Sequence, residues 1–146
     1  MTWNDWLKNG RIEAQRPARE EIAAQRRAAE RSLADAALPE LSPEGRFRLA
    51  YDAGLALATL AVLASGHRVK SRVGHHQITI EAAGIALGKE AAALIRYLDL
   101  CRRKRNVISY EGDEIGVGQA KELLKEVTRF AGLVDAWLAK HHAELA

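Results

Sequence analysis

Phe47-Arg48-Leu49-Ala50-Tyr51-Asp52-Ala53-Gly54-Leu55-Ala56-Leu57-Ala58-Thr59-Leu60-Ala61-Val62-Leu63-Ala64 is apolar almost all round. A helix without a polar face is a buried helix, so this stretch predicts the centre of a helical bundle. Ser42-Pro43-Glu44 stands just before it, with Ser42 suited to an N-cap and Pro43 to the first helical position. The run from Ala53 to Ala64 is shorter than the roughly 20 apolar residues that cross a bilayer. Arg46, Arg48 and Asp52 crowd its start. The segment therefore reads as the core of a globular protein, with no membrane as partner.

Upstream of that helix, Thr2 has the spacing of an N-cap for a short first helix with Trp3 and Leu7 on one face, ended by Asn9-Gly10. From about Glu13 to Leu38 the chain is Ala-rich and charged, with Arg16/Glu20, Arg26/Glu30 and Arg31/Asp35 at helical i,i+4 spacing. Its apolar stripe is thin, namely Ala18, Ile22, Ala29, Leu33 and Ala36, and predicts a long helix on the outside of the bundle. Leu38-Pro39 breaks it.

Downstream, Ser65-Gly66 ends the central helix, and His67 to His76 reads as a basic loop. Ile78 to Leu87 resumes helical spacing, Gly88 bends the chain, and Glu90 to about Tyr110 forms another helix. Gly112 to Gly118 is a turn. The last helix carries the clearest amphipathic stripe: Ala120, Leu123, Leu124, Val127, Phe130, Ala131, Val134, Trp137 and Leu138. No strand-like alternation and no internal repeat stand out. The expected fold is a single all-α domain over residues 1–146, an up-and-down helical bundle with a long outer helix and one central buried helix.

Composition agrees with this reading. The 146 residues are 48% hydrophobic and 28% charged, which argues against disorder. Two Phe, three Tyr and three Trp against abundant Ala and Leu favour helix on helix. A lone cysteine, Cys101, rules out an internal disulfide and fits a reducing compartment. With no apolar leader at the N-terminus, a cytoplasmic location is expected. A net charge of +3 permits a nucleic-acid partner without requiring one.

One residue stands against the pattern. Leu87, Ala91, Leu94, Leu98 and Cys101 step by four and three along one helix face, and the same register continues to Arg105 and Ile108. A guanidinium thus falls on the face that packs against the bundle, where an unpaired charge costs several kcal/mol. It calls for a carboxylate tie, with Asp52 in the central helix as the candidate, or for a solvent-filled cleft that presents it to an anion. Arg102, Arg103 and Lys104 precede it, making four consecutive cations.

Arg105-Asn106-Val107-Ile108-Ser109-Tyr110, placed late in the bundle before its last helix, resembles the motif of HEPN domains (the higher eukaryotes and prokaryotes nucleotide-binding family). In that motif Arg is usually followed by Asn and, about four to six residues further on, by His. Tyr51 to Leu55, Ala61 to Gly66 and Gly74-His75-His76-Gln77-Ile78-Thr79-Ile80-Glu81-Ala82 resemble a bacterial branch found in toxin–antitoxin and defence systems. The resemblance spans roughly residues 14 to 140. It implies a metal-independent endoribonuclease, without cofactors, acting on RNA as a homodimer that brings two motifs together. Arg105 would hold the scissile phosphate, Asn106 would orient the helix end, and a histidine would move protons. Tyr110 stands where that histidine would fall, and a phenol is a poor base at neutral pH.

The resemblance thus leads to an RNA-directed toxin or effector half of a two-component system. The alternative is a catalytically silent dimeric module that binds a partner, such as a nucleotidyltransferase-type antitoxin. Arg102, Arg103, Lys104, Arg68, Lys70, Arg72, His75 and His76 are the candidate nucleic-acid-binding residues. His75 and His76 open a helix, where an anion is favoured. They either cap it in solvent or face the cleft, where one could replace the missing imidazole. Adjacent histidines on a helix diverge by about 100°, so a metal site built on His67, His75, His76, His141 and His142 is not expected. The glycines of Gly112 to Gly118 follow a helix and lack the dinucleotide fingerprint. Cys101 lies on the apolar stripe and reads as core.

Overall fold

The computed structural model describes residues 2–70, 73–111 and 114–146, with side chains described throughout these except at 108–111. Six α-helices dominate: α1 (Trp3–Lys8), α2 (Arg19–Ala36), α3 (Pro43–Ala64), α4 (His75–Leu87), α5 (Ala92–Glu111) and α6 (Val117–His141). Two short strands, β1 (Ile12–Ala14) and β2 (His67–Val69), and 3₁₀ turns at Lys89–Ala91 and Ala143–Leu145 complete them. The protein is an all-α helical bundle with α3 at its centre, packed by α2, α4, α5 and α6.

α3 begins as its sequence dictates. The Ser42 hydroxyl accepts from the Gly45 amide at 3.0 Å, and Pro43 occupies the first turn. Ala50, Tyr51, Ala53, Ala58, Leu60 and Ala61 are fully buried. Burying each large apolar side chain stabilises by about 1.5–3 kcal/mol. By length and hydropathy α3 could cross a membrane, but 72% of the relevant window is covered by the rest of the protein. Its small residues bring neighbours close: a Cβ on Gly54 would lie 2.8 Å from Leu98 Cδ1.

α2 is the outer helix, burying Ile22, Ala29 and Ala36 against α3. Its last turn holds no basic residue, and Arg46 of α3 supplies one from outside. The Arg46 guanidinium donates to the carbonyl of Ala36 at 2.9 Å, an acceptor of the helix end, and to that of Leu38 in the following turn at 2.6 Å. Arg26, rather than pairing within α2, reaches Asp135 of α6 at 3.4 Å.

α2 starts at Arg19, not near Glu13. Pro17 explains the difference, since a prolyl ring inside a helix removes a donor and clashes with the preceding turn. The freed segment forms β1, antiparallel to β2, with Ile12 opposite Val69 and Ala14 opposite His67. The stretch read as a basic loop is therefore a strand at 67–69 and the first turn of α4 at 75–76. This two-stranded ribbon is an element the apolar pattern did not announce, because only Ile12 of β1 is buried.

At the N-terminus, Thr2 and Asp5 form a reciprocal capping box. The buried anchor of α1 is Trp6, while Trp3 lies parallel to the His67 ring at 4.0 Å between centroids and Leu7 is exposed. The N-terminal arm is thus pinned to β2.

Candidate functional site

The register that places Arg105 on the packing face holds in the structure from Leu94 onward, whereas Leu87 ends α4 and Ala91 lies in the 3₁₀ turn, because Gly88 with φ of 80° breaks the helix between them. Leu87, Ala91, Leu98 and Cys101 are buried, Leu94 is half-buried, and Arg105 follows as a half-buried residue. Its Nε is shielded from solvent and has no hydrogen-bond partner, and among the described residues no carboxylate comes within ion-pair distance. The guanidinium instead faces the ring of Tyr51, with Cζ 5.5 Å from the ring centroid, within cation–π range.

Tyr51 is fully buried, and its hydroxyl meets His76 Nδ1 at 3.2 Å. The two rings are tilted, 5.9 Å apart. Three helices therefore converge: α3 supplies Tyr51, α4 supplies His76 and α5 supplies Arg105. His76 sits in the first turn of α4, which Gly74 enters with φ of 69°, a left-handed conformation that glycine adopts without strain. His75, next in the chain, is exposed, and its ring lies 6.3 Å from that of His76.

The charges around this junction shape its chemistry. Burial pushes the Tyr51 phenol well above its ordinary value, with Arg105 and Arg102 pulling the other way, so the hydroxyl keeps its proton. Burial also lowers the His76 imidazole, and the positive charges of Arg105, His75 and Arg102 lower it further against the attraction of Asp52. At neutral pH His76 is a neutral base with a hydrogen-bonded Nδ1. Asp52 retains solvent access, yet partial desolvation raises its carboxyl, while Arg105, His76 and Arg48 draw it down. Asp52 lies in the field of Arg105 without an ion pair to it, so of the two alternatives the carboxylate tie is not formed.

The four cations of α5 diverge. Arg102 is half-buried and donates to Asp99 at 2.9 Å, remaining close enough to act on Tyr51 and His76. Arg103 is exposed and shares Asp99 at 3.2 Å. Lys104 lines a shallow pocket facing α6, with Tyr97 and Glu122. Only Arg105 turns to Tyr51. Asn106 is half-buried on the following position. The Tyr110 side chain and Arg72 lie outside the described residues.

The residues of β2 are committed to its own neighbourhood. Arg68 bonds to Gln15 and Glu21, and Lys70 lies 3.7 Å from Glu13. Arg68 and His75 line a cavity of about 260 Å³ with Gln25, Thr59 and Thr79. Among the described residues of the 67–76 segment His76 alone joins the Arg105 junction, while Arg68 and Lys70 hold acids of the N-terminal half. No cluster of three or more metal-ligating side chains occurs among the described residues.

Sequence reasoning weighed Arg105, His76 and Asp52 and passed over Tyr51 as a site residue. The available signal was a tyrosine inside an otherwise apolar helix, since a buried hydroxyl needs a partner. Compared with known proteins, the chain matches no family model, no curated sequence and no solved structure.

Proposed function

We propose that this bundle is a HEPN-like, RNA-directed protein whose Arg105 junction binds an RNA phosphodiester, acting as the toxin or effector half of a prokaryotic two-component system. One observation carries the reading: a half-buried guanidinium that has no carboxylate partner among the described residues meets a neutral imidazole on the same buried tyrosine. Arg105 neutralises the phosphate and the charge that grows on its oxygens during attack. His76 takes the proton of the adjacent 2′-hydroxyl, whose oxygen attacks phosphorus, and the bond to the 5′-oxygen breaks. The leaving oxygen takes a proton from a phenol at the motif's final position, Tyr110. The products are a 2′,3′-cyclic phosphate and a 5′-hydroxyl end. In this reading His76 replaces the imidazole that the motif lacks, and Asn106 orients the end of α5.

Assembly as a homodimer through α5 belongs to the same reading. Leu100 is 60% exposed there, beside an open groove lined by Ile80 and Ile95. Glu81 and Asp99 alternate with Arg96 and Arg103 around it, a mixture that a two-fold axis can pair with itself. The same apolar face favours the second reading, a silent module that docks a partner protein.

An RNA cleavage assay with and without chelator decides between them. The nuclease reading expects chelator-resistant cleavage that Arg105→Ala and His76→Ala each abolish. A wild-type protein that neither binds nor cuts RNA, but copurifies with a partner through a Leu100→Glu-sensitive surface, gives the second. Tyr110→His should raise cleavage if the motif's final position faces the same phosphate.

A further inference from the structure

The opposite end of the bundle holds a cleft of about 390 Å³, where the end of α4, the 3₁₀ turn Lys89–Ala91 and the last turns of α6 meet. Leu87 lies eleven positions after His76 along α4, which is about 16 Å of helix. The cleft is therefore distinct from the Arg105 junction. Its wall is the half-buried Trp137, flanked by the His142 ring at 4.9 Å and the His141 ring at 6.4 Å. Lys89 enters from the 3₁₀ turn and Lys140 from α6, with Glu90 beside them.

Lysines near helix ends often serve the carbonyls there. Among the described residues, however, Lys89, Lys140 and Glu90 make no ion pair and no side-chain hydrogen bond. Three charged side chains thus line one cleft around an indole without neutralising one another. An aromatic face accepts a flat heterocycle, two ammonium groups from different elements accept a phosphate, and a carboxylate accepts hydrogen bonds from amino or hydroxyl groups. The volume suits a ligand of that size.

We propose that this cleft binds a nucleoside phosphate, its base stacked on Trp137 and its phosphate between Lys89 and Lys140. The moiety is either a free nucleotide or one unit of a single-stranded RNA. The proposal stands independently of the reading of Arg105.

Calorimetric titration with adenosine 5′-monophosphate and with an unstructured RNA hexanucleotide tests it. Binding of the mononucleotide identifies a free nucleotide as sufficient. Binding of the hexanucleotide alone identifies the RNA strand as the source, provided the variants below weaken it. Trp137→Leu should weaken binding about tenfold, in line with the loss of one base–aromatic stack. Lys89→Ala combined with Lys140→Ala should weaken it comparably and reduce its salt dependence. Both lysines are exposed, so this double variant keeps the fold even if Trp137→Leu perturbs the core. Lys125→Ala, exposed on α6 about 18 Å of helix from Trp137, should leave mononucleotide binding unchanged, which separates a site in the cleft from general attraction to the positive surface. Absence of binding by either probe, or binding indifferent to both the tryptophan and the lysine variants, overturns the proposal.

Discussion

The Tyr51 hydroxyl and His76 Nδ1 lie 3.2 Å apart at the point where α3 and α4 meet, and the face of the same tyrosine ring carries Arg105. Tyr51 is buried, so its hydroxyl has little alternative to this bond. His76 can act as a base at Nε2 only with its own proton on Nδ1, where it donates to the Tyr51 oxygen. Tyr51→Phe removes that acceptor while keeping the ring beneath Arg105. The protonated imidazole loses more from the missing acceptor than the neutral ring does, so the His76 pKa should fall, as followed by NMR titration. Stability should fall by about 1 kcal/mol, the typical net value of one hydrogen bond. A rise in the His76 pKa instead would mean that the phenol donates to Nδ1 and that Nε2 carries the proton.

Arg105→Ala should be mild for stability. The variant loses a cation–π contact worth about 0.5–2 kcal/mol and strands no buried carboxylate, since Asp52 reaches solvent. Had Arg105 been a buried tie to Asp52, its removal would cost about 3–5 kcal/mol. Chemical denaturation separates these values. Asp52→Asn should therefore fail to rescue Arg105→Ala in a double variant, whereas RNA cleavage should be lost in Arg105→Ala throughout.

Two glycines make opposite predictions for the same substitution. A methyl group on Gly54 of α3 meets Leu98 Cδ1 at 2.8 Å and Val127 Cγ2 at 3.4 Å, where three helices pack. Overpacking costs about 1–3 kcal/mol, against a helix-propensity gain of about 1 kcal/mol. Gly54→Ala should therefore be neutral to destabilising by up to about 2 kcal/mol. Gly132 of α6 is exposed, and a methyl group there would meet nothing within 4 Å. Gly132→Ala should gain up to about 1 kcal/mol. Urea midpoints of the two variants, at unchanged slope, provide the check.

The helices were legible because their signals are local. Ser42-Pro43 starts α3, Thr2 caps α1, and the step from Leu94 to Cys101 carries straight on to Arg105. The ribbon was not legible, because the pairing of Ile12 with Val69 depends on residues 57 positions apart in sequence. Pro17 was the one local sign that α2 could not begin at Glu13. At the site, the inward turn of Arg105 could be read from periodicity, but its partner could not. Whether it met Asp52 or Tyr51 depends on how α5 crosses α3, and adjacent residues on α3 point in directions about 100° apart. The choice between His75 and His76 rests on the same geometry, since only one of them can face Tyr51.

Acid should weaken this fold before the carboxylates titrate. His76 and His67 both have pKa values lowered by burial, and His76 is lowered further by Arg105. Between the depressed native value and the ordinary unfolded value of about 6.5, the unfolded chain binds more protons than the native one. Stability therefore rises with pH through that window, and this contribution is lost as pH falls below about 6.5. Asp52 acts with the opposite sign at lower pH: its raised native pKa makes the native state bind more protons just above 3.8. The melting temperature should thus decline from about pH 7.5 to about pH 5. His76→Gln and His67→Gln should each flatten part of that slope, and the double variant should flatten more. His67 stacks on Trp3 at the N-terminal arm, so its share should appear as earlier release of that arm by hydrogen exchange. His76 touches Tyr51 in the bundle core, and its share should appear in global unfolding. An unchanged slope in both single variants would place the acid sensitivity elsewhere in the chain.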